Sequence, residues 1–179
     1  MDGSNGLGEP AVRVMKVRRV ALDQQNNPVV LLVDEDETVA LPIWIGQAEA
    51  MAIAMRLQNV QPPRPMTHDL LQSVVEQLEA KVTQIIVCDV RDGTYFAQIH
   101  LSRNGTAFVI DSRPSDAIAL ALRTDAPIFV EDKVAVQGIA LRKGADGEVR
   151  AGLEEELDPQ EFRKFLERVK PDDFRRTVH

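Results

Sequence analysis

Two rhythms of apolar residues organise the chain. VRVMKVRRVAL (12–22) and PVVLLVD (28–34) are rich in β-branched residues and are separated by QQNNP, which predicts two strands joined as a hairpin. After the acidic turn DEDE (34–37), TVALPIWIG places Val39, Leu41, Ile43 and Ile45 on one face of a third strand. Pro42 puts that strand at an edge or a bulge. The period then changes. GQAEAMAIAMRLQ (46–58) is apolar around most of its circumference and predicts a buried helix, with Met51 and Met55 in the core. QPPRPM breaks it. THDLLQSVVEQLEA (67–80) follows as an amphipathic helix whose stripe of Leu70, Leu71, Val74, Val75 and Leu78 is expected to pack inward.

Residues 81–111 return to alternation and carry Asp92-Gly93 and Asn104-Gly105, two strong signals for two-residue hairpin turns, so the segment predicts a three-stranded meander. The turns fix the register. Pairing Arg103 with Thr106 sets His100 opposite Val109 and Gln98 opposite Asp111 on one face, with Ile99, Leu101, Phe108 and Ile110 on the other. Counting from the Asp-Gly turn in the same way adds Ile85 and Val87 to the His100 face, which a helix is expected to cover in part.

A third helix is expected from about Ser115 to Arg123, followed by a strand at PIFVED and then VAVQGIAL. The predicted fold is α+β: a single compact domain (11–141) of mixed or antiparallel sheet with three helices packed on it. A disordered segment (1–10) precedes it. A linker (142–157) leads to a C-terminal amphipathic helix and tail (158–179), in which Phe162, Phe165, Leu166 and Val169 form one stripe.

Composition changes this picture little: 44% hydrophobic, 27% charged and 4% aromatic residues describe an ordinary globular chain with an aliphatic core. Charge changes it more. A net charge of −7 argues against tight nonspecific binding of nucleic acid by counterion release, but not against an enzyme that meets phosphate at a small local site. No apolar run reaches the roughly eighteen residues a membrane span requires, and residues 1–10 lack the parts of a secretion signal, so a cytoplasmic location without membrane contact is expected. The lone Cys88 lies in a strand pattern and reads as a buried structural thiol.

The chemistry concentrates at two helix starts. Arg64-Pro65-Met66-Thr67-His68-Asp69 and Arg113-Pro114-Ser115-Asp116 each place an Arg-Pro pair ahead of a hydroxyl residue and an aspartate. Thr67 and Ser115 suit capping, and Asp69 and Asp116 suit the helix dipole. The arginines need another explanation. With the backbone N–H groups of the helix starts, Arg64 and Arg113 would form an anion fork for phosphate, with Thr67 and Ser115 beside them; alternatively they pair internally with Asp69, Asp111 or Asp116. His68 suits a general base, and Asp69, Asp111 and Asp116 suit Mg²⁺ or Mn²⁺, Asp111 and Asp116 above all. For Glu49 a capping box at the start of the first helix competes with a raised-pKa acid. No P-loop, GxGxxG or GxSxG pattern is present.

LPIWIGQAEAMAIA, RPMTHDL, GTYFAQIHL and DSRPSDAIALALR together resemble the bifunctional nuclease family over about residues 12–141, and EFRKFLERVKPDDF resembles a tail of its bacterial members. The resemblance implies a compact α+β domain, frequent self-association into homo-oligomers, and nuclease activity on DNA and RNA. It assigns no catalytic roles. Two function classes therefore stand: a metal-assisted phosphodiesterase using His68, Asp69, Asp111 and Asp116 with Arg64 and Arg113, and a non-catalytic self-associating module that binds partners through its C-terminal helix. A small anionic ligand held at the two arginines is a third.

Overall fold

The computed structural model describes residues 11–143 and 149–150. The expected N-terminal segment 1–10, most of the linker and the tail helix 158–179 lie outside the described residues. Within the linker, the short strands β9 (Arg142–Lys143) and β10 (Val149–Arg150) pair antiparallel.

One eight-stranded sheet carries the fold, in the order β6-β5-β4-β7-β1-β2-β3-β8. Its strands are β1 (Val12–Leu22), β2 (Pro28–Asp34), β3 (Val39–Trp44), β4 (Lys81–Arg91), β5 (Thr94–Arg103), β6 (Thr106–Ser112), β7 (Ile128–Glu131) and β8 (Ile139–Ala140). Among the described residues four helices accompany them: α1 (Gln47–Leu57), α2 (Thr67–Gln77), α3 (Pro114–Thr124) and the single turn α4 (Asp132–Ala135). The sheet is mixed. Only β7 against β4 is parallel; β7 is otherwise antiparallel to β1, so this late strand is wedged between the β4–β6 meander and the β1–β3 meander. The fold class is α+β as expected, and α4 is a helical turn that the sequence pattern did not reveal.

Both hairpin signals are realised with left-handed backbone, at Asp92 (φ 49°) and Gly93 (φ 76°) and at Asn104 (φ 49°) and Gly105 (φ 79°). Such two-residue turns match the twist of the strands they join. β5 and β6 hold the expected register, with Arg103 opposite Thr106, His100 opposite Val109 and Gln98 opposite Asp111. β4 does not. Its register against β5 slips between Val82 and Gln84 and again between Val87 and Asp89, so Ile85 and Val87 stand opposite Ile99 and Ala97 in the core rather than on the His100 face. A bulge adds one residue and moves every later side chain to the other face. The helices cover the Ile99 face, not the His100 face.

α3 is the buried helix. Ala117, Ile118, Ala119, Leu120 and Ala121 all lie in the core with Ile85, Val87, Ala97 and Ile99 beneath them. Ala117 and Ala121, four residues apart, share one face of α3 and Ala119 lies on the opposite face, so small side chains let the helix pack between the sheet and its neighbours α1 and α2. α1 buries Ala50, Ala52, Ile53 and Ala54, and leaves Met51 and Met55 only half-buried, which corrects the expectation of an entirely buried helix with both methionines in the core. The stripe of α2 is corrected further. Val75 packs against the core, whereas Leu70, Leu71, Val74 and Leu78 are exposed. Pro42 behaves as expected: it pairs with Leu31 on one side, and β8 on the other side reaches only Val39 and Ala40.

Candidate functional site

Three helix starts meet, and each contributes ionisable groups. α2 begins at Thr67 because Asp69, three residues beyond Met66, accepts the Met66 N–H at Oδ2 (2.8 Å) and closes the first turn. Thr67 is therefore the first helical residue and is exposed, not the cap. The turn aims His68 inward, where only 7% of it is exposed, and its Nε2 stands 3.0 Å from Asp116 Oδ1 in the first turn of α3.

α3 starts on Pro114, with Arg113 at the cap position in extended backbone. Ser115 lies inside the helix and is buried, so it too is not the cap. Arg113 turns back over its own helix. Its Nε donates to Asp116 Oδ2 (2.7 Å) and one terminal nitrogen donates to Glu49 Oε1 (2.7 Å) in the first turn of α1. Glu49 thus makes a cross-helix ion pair, and no side chain caps α1. Gly46 leaves it room: a Cβ there would overlap Glu49 Oε2.

The resulting chain runs His68–Asp116–Arg113–Glu49. Burial pushes the Asp116 carboxyl upward, but the hydrogen bonds from Arg113 and His68 outweigh it and hold the group below the ordinary carboxylate range. The hydrogen bonds to Asp116 and Glu49 raise Arg113 above its usual value. Asp116 is ionised at neutral pH, and its two oxygens are engaged on opposite sides.

A second pair supports the first. Arg123, 7% exposed in the last turn of α3, donates Nε to Asp69 Oδ1 (2.6 Å), and its terminal nitrogens reach Ala119 O (2.9 Å) and Ala52 O (3.2 Å). One guanidinium therefore ties α3 to α2 and α1. Burial acts upward on Asp69 as well, and the Met66 N–H and Arg123 reverse it, leaving the carboxyl low.

The two Arg-Pro stretches do converge, through His68 and Asp116. The remaining expected residues do not all join them. Asp111 faces the Gln98 side of β6 and makes no hydrogen bond or ion pair among the described residues. Arg64 is exposed and has no ion pair among the described residues. On the sheet face, His100 Nε2 lies 3.3 Å from Gln98 Oε1, without Asp111. Arg123 is a partner that the sequence pattern did not single out, and Glu49, expected as a capping-box member or a raised-pKa acid, instead pairs with Arg113. A charged residue closing the apolar run IALALR was the available signal for Arg123.

The donors do not fit a protein-held Mg²⁺ or Mn²⁺. Among the described residues no three of His, Cys, Asp and Glu cluster at metal-binding distances, and Asp116 and Asp69 already give their oxygens to cationic or N–H donors.

Fold and site define an α+β domain that joins three helix starts through a histidine–carboxylate–arginine chain. The bifunctional nuclease domain matches over residues 30–141, more than half of the chain. The protein belongs to that family. It is 40% identical over 172 residues to a Mycobacterium tuberculosis protein described as uncharacterized, covering 96% of this chain and 100% of that one. It is 32% identical over 117 residues to bifunctional nuclease 1 of Arabidopsis thaliana (63% of this chain, 36% of the plant protein). Against bifunctional nuclease 1 of Oryza sativa subsp. japonica the identity is 25% over 126 residues (69% and 37%). The chain thus spans little more than a third of these plant relatives. Among the described residues no helix is long and apolar enough to cross a membrane.

Proposed function

We propose that this chain cleaves phosphodiester bonds in DNA and RNA at the junction of the three helix starts, with His68 as the proton carrier. What supports it most is the 3.0 Å contact between His68 Nε2 and Asp116 Oδ1. When Nε2–H donates to the carboxylate, the tautomer leaves Nδ1 as the basic nitrogen, which finds no partner among the described residues. Nδ1 takes the proton of the attacking water, or of the neighbouring 2′-hydroxyl in RNA, as oxygen bonds to phosphorus. The imidazolium, steadied by Asp116, then returns a proton to the leaving oxygen. Arg113 holds Asp116 in place.

The test is cleavage of DNA and of single-stranded RNA by highly purified protein, with and without chelator. His68→Asn should reduce turnover by about 100-fold or more, in keeping with the contribution of general acid–base catalysis. Asp111→Ala, outside this proton path, should cleave nearly as wild type. Full activity in a folded His68→Asn variant overturns the assignment. Loss of cleavage in chelator with unchanged thermal unfolding would point to an ion brought by the substrate.

One observation favours a second reading, the non-catalytic module: Arg113 spends its donors on Asp116 and Glu49, as a structural clamp would. On that reading His68→Asn lowers stability and no phosphodiesterase activity survives purification.

A further inference from the structure

All four helices place side chains in the core on one face of the sheet, so the other face carries no helix among the described residues. That second face is not polar. Strand residues alternate between faces, and Met15, Ile128, Val130, Ile85 and Val87 lie in the helix-side core, which turns Val14, Phe129 and Ile86 the other way. Strand pairing aligns these three: Val14 stands opposite Phe129, and Phe129 opposite Ile86. An apolar band therefore crosses β1, β7 and β4 in the middle of the sheet, with Val12 (42%) and Val14 (41%) exposed and Phe129 and Ile86 half-buried. A contiguous apolar patch of this kind marks a surface that something covers.

The band has a basic border. Val30 and Leu32 belong to the helix-side core, so Leu31 and Val33 between them face the second side, where they form a small core with Ale40 and Leu141. Lys16 stands opposite Val33 and Arg19 opposite Leu31, which puts both cations on that side. Arg18, the extra residue of the β1 bulge, reaches Glu37 Oε1 (3.5 Å), the carboxylate that Lys16 also approaches (4.0 Å). Three cations thus have one carboxylate between them among the described residues, and Arg19 Nε is buried there without a hydrogen-bond partner. A buried guanidinium N–H is unfavourable until an acceptor reaches it.

We infer that the second face is the seat of the chain's own residues 153–169: the stripe of Phe162, Phe165, Leu166 and Val169 covers Val14, Phe129 and Ile86, and the acidic run before it meets Lys16, Arg18 and Arg19. Three observations select this occupant. The chain leaves the sheet on this side, because Leu141 donates its N–H to Thr38 O (2.8 Å) and packs on the Leu31–Val33 cluster. The charges are complementary: residues 151–162 hold five carboxylates (Glu154, Glu155, Glu156, Asp158 and Glu161) and no cation. The lengths match as well. Residues 150 to 158 can extend over about 26 Å, whereas β3 and β1 lie about 10 Å apart. As a helix, residues 159–169 are about 16 Å long, enough to cover β1, β7 and β4, whose outer axes are about 10 Å apart. The cover lies across the sheet from His68 and does not depend on the reaction proposed there.

Paramagnetic relaxation in the full chain tests it. In a Cys88→Ser, Lys164→Cys variant, a nitroxide at position 164, on the side of the helix away from its apolar stripe, should broaden away the methyl signals of Val12, Val14 and Ile86. Those of Leu70 and Leu71, on the exposed side of α2, should be spared. In an equimolar mixture of isotope-labelled chain without nitroxide and spin-labelled chain without isotope, all these signals should persist. Phe165→Glu in the spin-labelled chain should restore the lost signals, as should Glu155→Lys combined with Glu156→Lys. Undiminished Val12 and Val14 signals in the starting variant overturn the inference. Loss of the Leu70 and Leu71 signals in their place does so too, as does loss in the mixture, which would seat a second copy on the band. Broadening that survives either set of tail substitutions overturns it equally.

Discussion

His68 and Asp116 are 48 residues apart in sequence, yet Nε2 of one and Oδ1 of the other are separated by 3.0 Å at the meeting of two helix starts. A contact over that interval needs α2 and α3 to be seated together, so it reports on the fold as well as on the proposed chemistry. Replacing the carboxylate by an amide separates those roles. Asp116→Asn keeps the shape but cannot stabilise an imidazolium; turnover is expected to fall about 100-fold to 10,000-fold with a smaller change in KM. Steady-state kinetics beside a thermal melt checks it.

Acid should weaken the fold through the carboxylates of this region. Asp116, Asp69 and Asp34 all lie below the usual range in the folded chain; at each, burial acts upward but the hydrogen bonds it receives outweigh it. A carboxyl with a lower pKa folded than unfolded binds fewer protons when folded, so its stabilising effect is complete above the unfolded value of about 4. It is lost as pH falls through the folded value. Melting temperature is therefore expected to be level from neutral pH to about 5 and to decline below about 4. Arg113→Ala removes the donor that holds Asp116 low and brings its folded pKa toward the unfolded value, so the variant should start less stable and lose less melting temperature in acid.

The buried guanidinium of Arg123 depends on one carboxylate. Asp69→Ala would leave that charge without its counterion and free the Met66 N–H as well. Removing one partner of a buried pair costs about 3–5 kcal/mol, and part exposure of Asp69 places the expected loss toward the lower figure. Urea unfolding measures it. Arg123→Met, which removes the charge together with its need for a partner, should be milder than Asp69→Ala.

Gly138 cannot accept a side chain where it stands. An added Cβ would lie 2.8 Å from Ala40 O and 2.9 Å from Ala135 O, both backbone atoms. Gly138→Ala should displace β8 from β3, with faster amide exchange at Val39 and Ala40, which pair with it. At Gly105 there is open space, but φ of +79° strains any side chain, so Gly105→Ala should cost about 1 kcal/mol with the fold intact.

Sequence carried the parts of this molecule that are decided locally. Asn104-Gly105 fixed a turn, and the turn fixed the β5–β6 register to its far end. The same counting failed one strand away. Thr83 and Cys88 are extra residues in β4 whose side chains carry no mark of a bulge, and each reverses the faces beyond it. Periodicity gathered Leu70, Leu71, Val74 and Leu78 correctly onto one side of α2, but it states only which residues share a face and not what that face meets. For the site, the repeated Arg-Pro motif led to His68 and Asp116. The pairings of Glu49 and Arg123 were hidden because their partners lie 64 and 54 residues away, and Asp111 looked equivalent to Asp116 until strand and helix sent the two in different directions.

The wedged position of β7 sets an order of events in synthesis. Until Ile128–Glu131 has left the ribosome, the meander of β1–β3 and that of β4–β6 share no strand pairing. A chain that stops short of those four residues holds two ribbons that meet through the packing of α1 on α3 and not through the sheet, each with an unfinished edge where the other should be. Continuity of the sheet therefore rests on one of its shortest strands.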